Sequence, residues 1–255
     1  MKMLSQESID KYRREADKTP PRAIQPLPKK EGRLDIAAIL SCPRLAWTDT
    51  WGCVQEVFSP LGIGVVKHTG VFWGQSLSRL MEDCLALNMD YVITLDYDSL
   101  FTSEHVVELI RTMHEHPEID ALVPVQVKRE SNVSMFTLRD ENGNFKTDAT
   151  PEELAQPLLK IATGHFGLTI LRCSSLAKLE RPWFCHVPNE HGEWINGHID
   201  EDVYFWLRAE EEGWNVYLAN QVRIGHIQTV ASWPGADFRP RFQYLSDWNK
   251  REPPV

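Results

Sequence analysis

The sequence lacks the features that would place the chain in a membrane or a disulfide-stabilised fold. Its 255 residues contain no run of about 18 apolar residues, so we expect no membrane span. The N-terminal segment has no apolar stretch typical of a secretory signal. The five cysteines form no C-x-x-C pair, which argues against a zinc site and favours reduced thiols in a cytoplasmic protein.

Several common site motifs are also missing. No G-x-G-x-x-G follows the first predicted strand, and there is no G-x-x-x-x-G-K-[ST]. There is no G-x-S-x-G either. These absences exclude the usual dinucleotide, P-loop and α/β-hydrolase sites.

Positive charge is scarce overall but concentrated at the N-terminus. Lys and Arg number 27 against 36 Asp and Glu, giving a net charge of −9, which argues against nucleic-acid binding by bulk charge. Residues 1–33 form a basic, polar arm with a net charge of +4. Any anion site in the remainder must be local or metal-assisted. The domain is expected over 34–231, divided into 34–130 and 131–231, with an aromatic and Pro-rich tail over 232–255.

Short apolar runs alternate with helical patterns in the first half of the domain. Strands are predicted over 34–40, 63–67, 91–95 and 119–127, and helices over 48–60, 74–88 and 102–116. This order indicates an α/β domain with a largely parallel sheet. The second half is predicted to contain a hairpin around 141–143, helices over 152–161 and 200–212, and strands over 167–172 and 214–219.

Asp96-Tyr97-Asp98 directly follows a buried strand. Open sheets bind ligands at the carboxyl ends of their strands. Two carboxylates together with substrate phosphates suit Mg²⁺ or Mn²⁺. The structural alternative is a turn in which Asp98 begins the next helix.

Two further sets of polar residues come late in the sequence. Asp200, Glu201 and Asp202 open a helix, where they either complement the helix dipole or supply a general base. His226 follows a strand and is either structural or a metal ligand.

Two glycine-containing segments complete the candidates. Arg79 lies five residues after Gly74 on a predicted helix and is either a solvated arginine or a phosphate contact. The segment Gly164-His165-Phe166-Gly167 marks a place where the backbone passes close to a ligand or another strand.

In this order, these motifs resemble the inverting family 2 glycosyltransferases of the GT-A fold. The matching segments are LDIAAILSCPRL, the Gly74–Arg79 helix, YVITLDYDSLF, TGHFGLTILRCSSLAKL, EDVYFWLRAEEEGWNVYLA and GHI, spanning about 34–230. The resemblance implies an α/β fold with a Rossmann-like mixed, mainly parallel sheet flanked by helices. It also implies transfer of a sugar from a nucleotide-diphosphate sugar, with UDP favoured, to an acceptor hydroxyl.

The resemblance also implies roles for the acidic residues. Asp96 and Asp98 would engage Mn²⁺ or Mg²⁺ and the donor, and His226 would be the third protein ligand. Asp202 would be the catalytic base, with Asp200 as the alternative and Glu201 beside them.

The remaining implied residues border the two substrates. The turn Cys42-Pro43-Arg44, the central Tyr97, Arg79, Gly164 and His165 are assigned to the donor. Thr69 is also assigned to the donor. His68 and Thr69 occupy the position at which the family often has an acidic residue. Trp194 is placed as an aromatic contact for the acceptor, which is a glycan, a protein or a hydroxymethylated DNA base.

Two other functions compete with this interpretation. A two-metal phosphodiesterase or nuclease would use Asp96, Asp98 and Lys128, but Gln126 stands where a further carboxylate is wanted. A sugar-nucleotide-binding module without activity is the non-enzymatic alternative.

Overall fold

The computed structural model describes residues 5–16, 32–131 and 133–252. The helices are α1 Gln6–Ala16, α2 Thr48–Leu61, α3 Trp73–Ala86, α4 Ser103–Glu115, α5 Pro151–Ala155, α6 Cys173–Leu176, α7 Glu201–Glu211 and α8 Leu245–Lys250. The strands are β1 Ile36–Cys42, β2 Gly64–Thr69, β3 Tyr91–Leu95, β4 Ser99–Leu100, β5 Ala121–Val125, β6 Leu138–Arg139, β7 Phe145–Lys146, β8 Leu158–Lys160, β9 Leu168–Arg172, β10 Val216–Arg223, β11 Gly225–His226, β12 Val230–Pro234 and β13 Pro240–Tyr244.

A seven-stranded mixed sheet with the order β2-β1-β3-β9-β5-β10-β8 forms the centre of the fold. Strands β1, β2, β3, β5 and β10 run in one direction, because β9 is antiparallel to both β3 and β5 while β10 is parallel to β5. Strand β8 is antiparallel to β10. The predicted α/β class with a mainly parallel sheet flanked by helices is therefore confirmed.

Alternate residues of β1 separate the two hydrophobic cores. Ala37 and Ile39 pack in the core that contains α3 and α7, whereas Ala38 and Leu40 pack in the core with α2 and α4. Buried strands with apolar side chains on both faces are typical of sheets covered by helices on each side. Among the described helices, none has the length and apolar character to span a bilayer.

One predicted helix is wrong in extent. The pattern over 152–161 predicts a single helix, but α5 ends at Ala155 and residues 158–160 form β8. Asn220 Nδ2 donates to the carbonyls of Glu153 and Gln156 and ties this segment to β10. Pairing with β10 therefore overrides the local helical pattern.

The C-terminal residues form a hairpin, β12–β13, followed by α8, and the indole rings of Trp233 and Trp248 stack at 5.5 Å. The Ser246 N–H donates to Glu130 Oε2 and thereby joins this part of the chain to the domain. Of the predicted N-terminal arm, the structure describes residues 5–16, which include α1, and residues 32–33, and the rest lies outside the described residues.

Candidate active site at the carboxyl edge of the sheet

Eight of the predicted site residues line one cavity of about 310 Å³, here termed the acidic cavity. They are Asp96, Tyr97, Asp98, His165, Asp200, Glu201, Asp202 and His226. The cavity lies where β3 ends and α7 begins, so residues more than 100 positions apart in sequence meet there. This is the edge of an open sheet at which ligands are expected.

His226 contacts Asp98 in the acidic cavity. The two-stranded pairing of β11 with β4 places His226 opposite Ser99, and the Ile227 N–H donates to the Asp98 carbonyl. His226 Nε2 lies 3.3 Å from Asp98 Oδ2, and Asp98 is only 3% exposed. The backbone pairing of β11 with β4 therefore holds the Asp98 carboxylate next to the His226 imidazole.

Hydrogen bonds at both ring nitrogens fix the orientation of His226. Its Nδ1 lies 2.9 Å from the Val127 carbonyl, which can only accept, so Nδ1 carries a proton and Nε2 faces Asp98. Burial by itself lowers the pKa of His226, but the hydrogen bonds with Asp98 and the Val127 carbonyl outweigh it and raise the pKa above its ordinary value.

The donor set provides only part of a metal coordination sphere. Within residues 5–16, 32–131 and 133–252, no group of three or more His, Cys, Asp or Glu side chains is arranged to hold a metal ion. One carboxylate and one imidazole nitrogen fit Mn²⁺ or Mg²⁺ when substrate phosphates and water complete the shell.

Asp96 has a different environment from Asp98. Trp73 Nε1 donates to Asp96 Oδ1 at 3.3 Å. Burial and the nearby Asp98 carboxylate raise the pKa of Asp96 to about 6, although the hydrogen bond from Trp73 opposes this. The two aspartates of the motif are therefore not equivalent: Asp98 faces His226, and Asp96 is held by an indole.

Arg129 also contacts Asp98, which the sequence analysis did not anticipate. Its guanidinium NH1 lies 3.0 Å from Asp98 Oδ2, and its side chain is 49% exposed. Arg129 follows β5 in the segment PVQVKRE. Its position after the carboxyl end of a sheet strand is the same signal that marks the D-x-D segment as a candidate site.

Asp202 has one carboxylate oxygen available. Its Oδ1 accepts from the Val203 N–H at 2.8 Å, and no hydrogen bond from another described residue reaches Oδ2. Burial raises the pKa of Asp202, and the nearby Asp200 carboxylate adds to the rise. Asp200 is more exposed and accepts from His198 Nε2 at 3.2 Å.

Glu201 makes a contact within the fold. Its Oε1 accepts from the Gly74 N–H at 3.2 Å, which links the first turn of α7 to the first turn of α3. Its Oε1 also lies 3.8 Å from His186 Nε2. Among the three consecutive acids, Glu201 therefore has the clearest structural role.

The glycine-containing segment at 164–167 is held by the protein itself. The Gly167 N–H donates to His165 Nδ1, and His165 Nε2 lies 2.9 Å from the Pro124 carbonyl, so both ring nitrogens have protein partners. Burial lowers the pKa of His165 to about 4. A Cβ on Gly164 would lie 2.7 Å from Val123, so this glycine permits close strand packing.

Gln126, which bears on the phosphodiesterase interpretation, is also internal. It is 2% exposed, and its side-chain amide donates to Ser99 Oγ and to the Gly225 carbonyl. It therefore holds β11 against the end of β5, and it supplies no carboxylate next to Lys128.

The remaining predicted donor residues lie around the acidic cavity rather than in it. Cys42 and Thr69 are register partners at the carboxyl ends of β1 and β2, and Pro43 and Arg44 follow directly. A second cavity of about 510 Å³, here termed the basic chamber, shares Arg129, Met135 and His226 with the acidic cavity. Its other lining residues include Trp47 and Lys128.

Arg79 and Trp194 lie near a groove that adjoins the acidic cavity. Arg79 lines a groove of about 750 Å³, here termed the aromatic groove, which shares Trp73, His186 and Glu201 with the acidic cavity. Trp194 is 60% exposed, and its ring centroid lies 6.2 Å from that of His186. The basic chamber and the aromatic groove therefore each adjoin the acidic cavity, through different lining residues.

No protein-family model and no curated protein matches the sequence. The structure is similar to A197 from STIV, with a TM-score of 0.54 and 14% identity over 81% of this chain and 94% of that one. It is also similar to GalNAc-T7, solved with UDP, GalNAc and Mn²⁺, with a TM-score of 0.51 and 13% identity over 78% of this chain. The match spans 44% of the GalNAc-T7 chain. At these identities the likeness shows the shared fold, which is GT-A-like.

Proposed function

We propose that the protein is a metal-assisted glycosyltransferase that moves a sugar from a nucleotide-diphosphate sugar, with UDP as the favoured nucleotide, to an acceptor hydroxyl. The observation that carries this proposal is the buried Asp98–His226 pair, which lies in one cavity with Asp96 and Asp202. The fold shared with GalNAc-T7, solved with UDP, GalNAc and Mn²⁺, supports it.

The donor binds with its diphosphate at the junction of the acidic cavity and the basic chamber. Asp98 and His226 would hold the divalent cation, which would supply positive charge to neutralise the departing diphosphate. Lys128 and Arg129 add positive charge from the basic chamber. The nucleotide extends toward Trp47 and the turn Cys42-Pro43-Arg44.

The acceptor approaches from the aromatic groove. Its hydroxyl lies against Asp202 Oδ2, which accepts the proton as the oxygen attacks the anomeric carbon and the bond to the diphosphate breaks. The exposed Trp194 contacts the rest of the acceptor. Arg79 lines the aromatic groove and neither the acidic cavity nor the basic chamber, so we move it from the expected donor side to the acceptor side. Single displacement on the face opposite the leaving group inverts the anomeric centre.

Two features bear on the identity of the acceptor. The net charge of −9 disfavours duplex DNA, whereas the basic arm over 1–33 favours it. The aromatic groove favours an acceptor with flat or apolar surfaces. Sugar rings, protein side chains and bases all offer such surfaces, so the net negative charge decides the order: a glycan or protein acceptor is the first choice, and a modified DNA base is the second.

The first test is calorimetric titration with UDP-, GDP-, dTDP- and CMP-sugars, with Mn²⁺ and then with chelator. We expect one donor to bind in Mn²⁺ and to lose its affinity in chelator. The variant Asp98→Asn should lose the Mn²⁺-dependent part of this binding, because it removes a charged ligand while keeping the size of the side chain. A folded wild-type protein that binds no donor under either condition contradicts the proposal and favours the alternatives without transfer.

A further inference from the structure

Arg129 contacts the carboxylate oxygen that a bound cation needs. The guanidinium NH1 lies 3.0 Å from Asp98 Oδ2, and this same oxygen faces His226 Nε2. A Mg²⁺ or Mn²⁺ ion binds a carboxylate oxygen at about 2.1 Å, so the guanidinium and the ion would lie at most about 5 Å apart. Two positive charges at that distance beside a buried carboxylate repel each other strongly. The position of Arg129 is therefore unfavourable once the ion is bound.

The Arg129 side chain can move while its backbone stays in place. It is 49% exposed, and the guanidinium ends a long, flexible stem. The next residue is anchored twice: the Glu130 N–H donates to Gln228 Oε1 at 2.8 Å, and Glu130 Oε2 accepts from the Ser246 N–H at 3.2 Å. The guanidinium can therefore change position while the turn that carries Arg129 stays in place.

The basic chamber provides the alternative position. It borders the acidic cavity, is lined by Arg129 itself and by Lys128, and has a volume of about 510 Å³. Arginine binds phosphate oxygens in a bidentate manner, so a diphosphate in this chamber offers the guanidinium a partner in exchange for Asp98.

We propose that Arg129 and the divalent cation exchange on Asp98. Without the metal, Arg129 neutralises the buried carboxylate; when the metal binds, the guanidinium swings into the basic chamber and holds the donor diphosphate. The diphosphate half of this inference rests on the proposed function, whereas the exchange on Asp98 does not. The metal releases Arg129, which then binds the donor. Binding of the metal therefore raises the affinity for the nucleotide, and binding of the nucleotide raises the affinity for the metal.

The test compares the full-length wild-type protein with Arg129→Gln and with the control Arg139→Gln. Arg139 is paired with Glu210 in an ion pair that involves none of the site residues, so its substitution removes the same charge elsewhere. Mn²⁺ binding is measured without nucleotide from the electron paramagnetic resonance signal of free Mn²⁺. UDP binding is then measured by calorimetry in saturating Mn²⁺, and circular dichroism checks that each variant folds.

Arg129→Gln should bind Mn²⁺ roughly three- to tenfold more tightly than wild type, because the competing cation is gone. The same variant should bind UDP in saturating Mn²⁺ roughly tenfold more weakly, because the diphosphate loses its arginine. Arg139→Gln should match wild type in both measurements. Opposite changes in the two affinities are a result that simple loss of structure does not produce.

Several results overturn the inference. Equal or weaker Mn²⁺ binding by Arg129→Gln contradicts the exchange, as does an equal gain in Arg139→Gln. Absence of Mn²⁺ binding in wild type and Arg129→Gln alike contradicts the exchange. Tighter Mn²⁺ binding by Arg129→Gln, with no binding of UDP or GDP by wild type, supports the exchange and contradicts the proposed function.

Discussion

The Glu201 carboxylate accepts a hydrogen bond from the backbone N–H of Gly74 at 3.2 Å, across 127 positions of sequence. This contact joins the N-terminal turns of α3 and α7 at the wall of the acidic cavity, which Glu201 and Trp73 line. It thereby connects the helix that carries Asp202 to the helix that carries Trp73, the partner of Asp96. The position of Asp202, the proposed base, relative to Asp96 therefore relies in part on this Glu201 contact.

Gly74→Ala should destabilise the protein. A Cβ at this position would lie 2.7 Å from the Phe184 Cβ and would also strike the Glu201 carboxylate, so Phe184 must shift and the Glu201 carboxylate must turn away from the Gly74 N–H. We expect a loss of about 1–3 kcal/mol in the free energy of unfolding, measured by urea denaturation. The control is Gly52→Ala on the exposed face of α2, where nothing lies within 4 Å. That substitution should stabilise the protein by about 0.5–1 kcal/mol. Equal effects of the two substitutions would contradict this role of Gly74.

Asp202→Asn should abolish sugar transfer and leave donor binding nearly unchanged. Asparagine keeps an oxygen for the Val203 N–H but cannot accept the acceptor's proton, so the rate should fall by about 10²–10⁴-fold. Transfer is measured by release of nucleotide diphosphate, and binding by calorimetry. Asp200→Asn serves as the matched control and should retain most of the activity. If the two variants behave in the reverse way, Asp200 is the base.

The pH dependence of transfer should identify the same residue. Burial and the neighbouring Asp200 carboxylate raise the pKa of Asp202, and a base must be ionised to act. The rate at saturating donor, acceptor and metal should therefore rise with pH, with an acidic limb above the ordinary aspartate value of about 3.9. Asp200→Asn removes a negative neighbour and should move this limb to lower pH. A limb that stays at the same pH in Asp200→Asn would argue against Asp202 as the titrating base.

The turn that carries Arg129 should depend on the Glu130 side chain. Glu130 has a left-handed backbone with φ of 52°, and its Oε2 accepts from the Ser246 N–H. Glu130→Ala removes that acceptor and should weaken UDP binding in Mn²⁺ by roughly threefold. Glu130→Gln keeps an oxygen acceptor and should bind UDP like wild type. Calorimetry distinguishes them, and equal affinities would show that the anchor to α8 is not needed.

The local sequence was enough to define the elements that carry the site. The pattern YVITL predicts β3 with the bounds observed, Tyr91–Leu95, and the helix predicted from 102 begins at Ser103 after the cap Thr102. These elements are encoded by residues close in sequence, through apolar periodicity and capping. The strand-end position of Asp96 and Asp98 follows from the same local signals.

The pairing of distant segments was decided only by the tertiary structure. Nothing in the local pattern of GLTILR shows that β9 lies antiparallel between β3 and β5, or that residues 158–160 leave a helical pattern to pair with β10.

The same holds for the contacts that give each acid its environment. Trp73 on Asp96, Arg129 on Asp98 and Gly74 on Glu201 all join residues that are far apart in the chain. The sequence by itself determined most of the helices and central strands and the chemical types of residue at their ends, because these depend on neighbours within a few positions. The tertiary structure decided which of those residues meet, because strand order and helix docking depend on burial summed over the whole core.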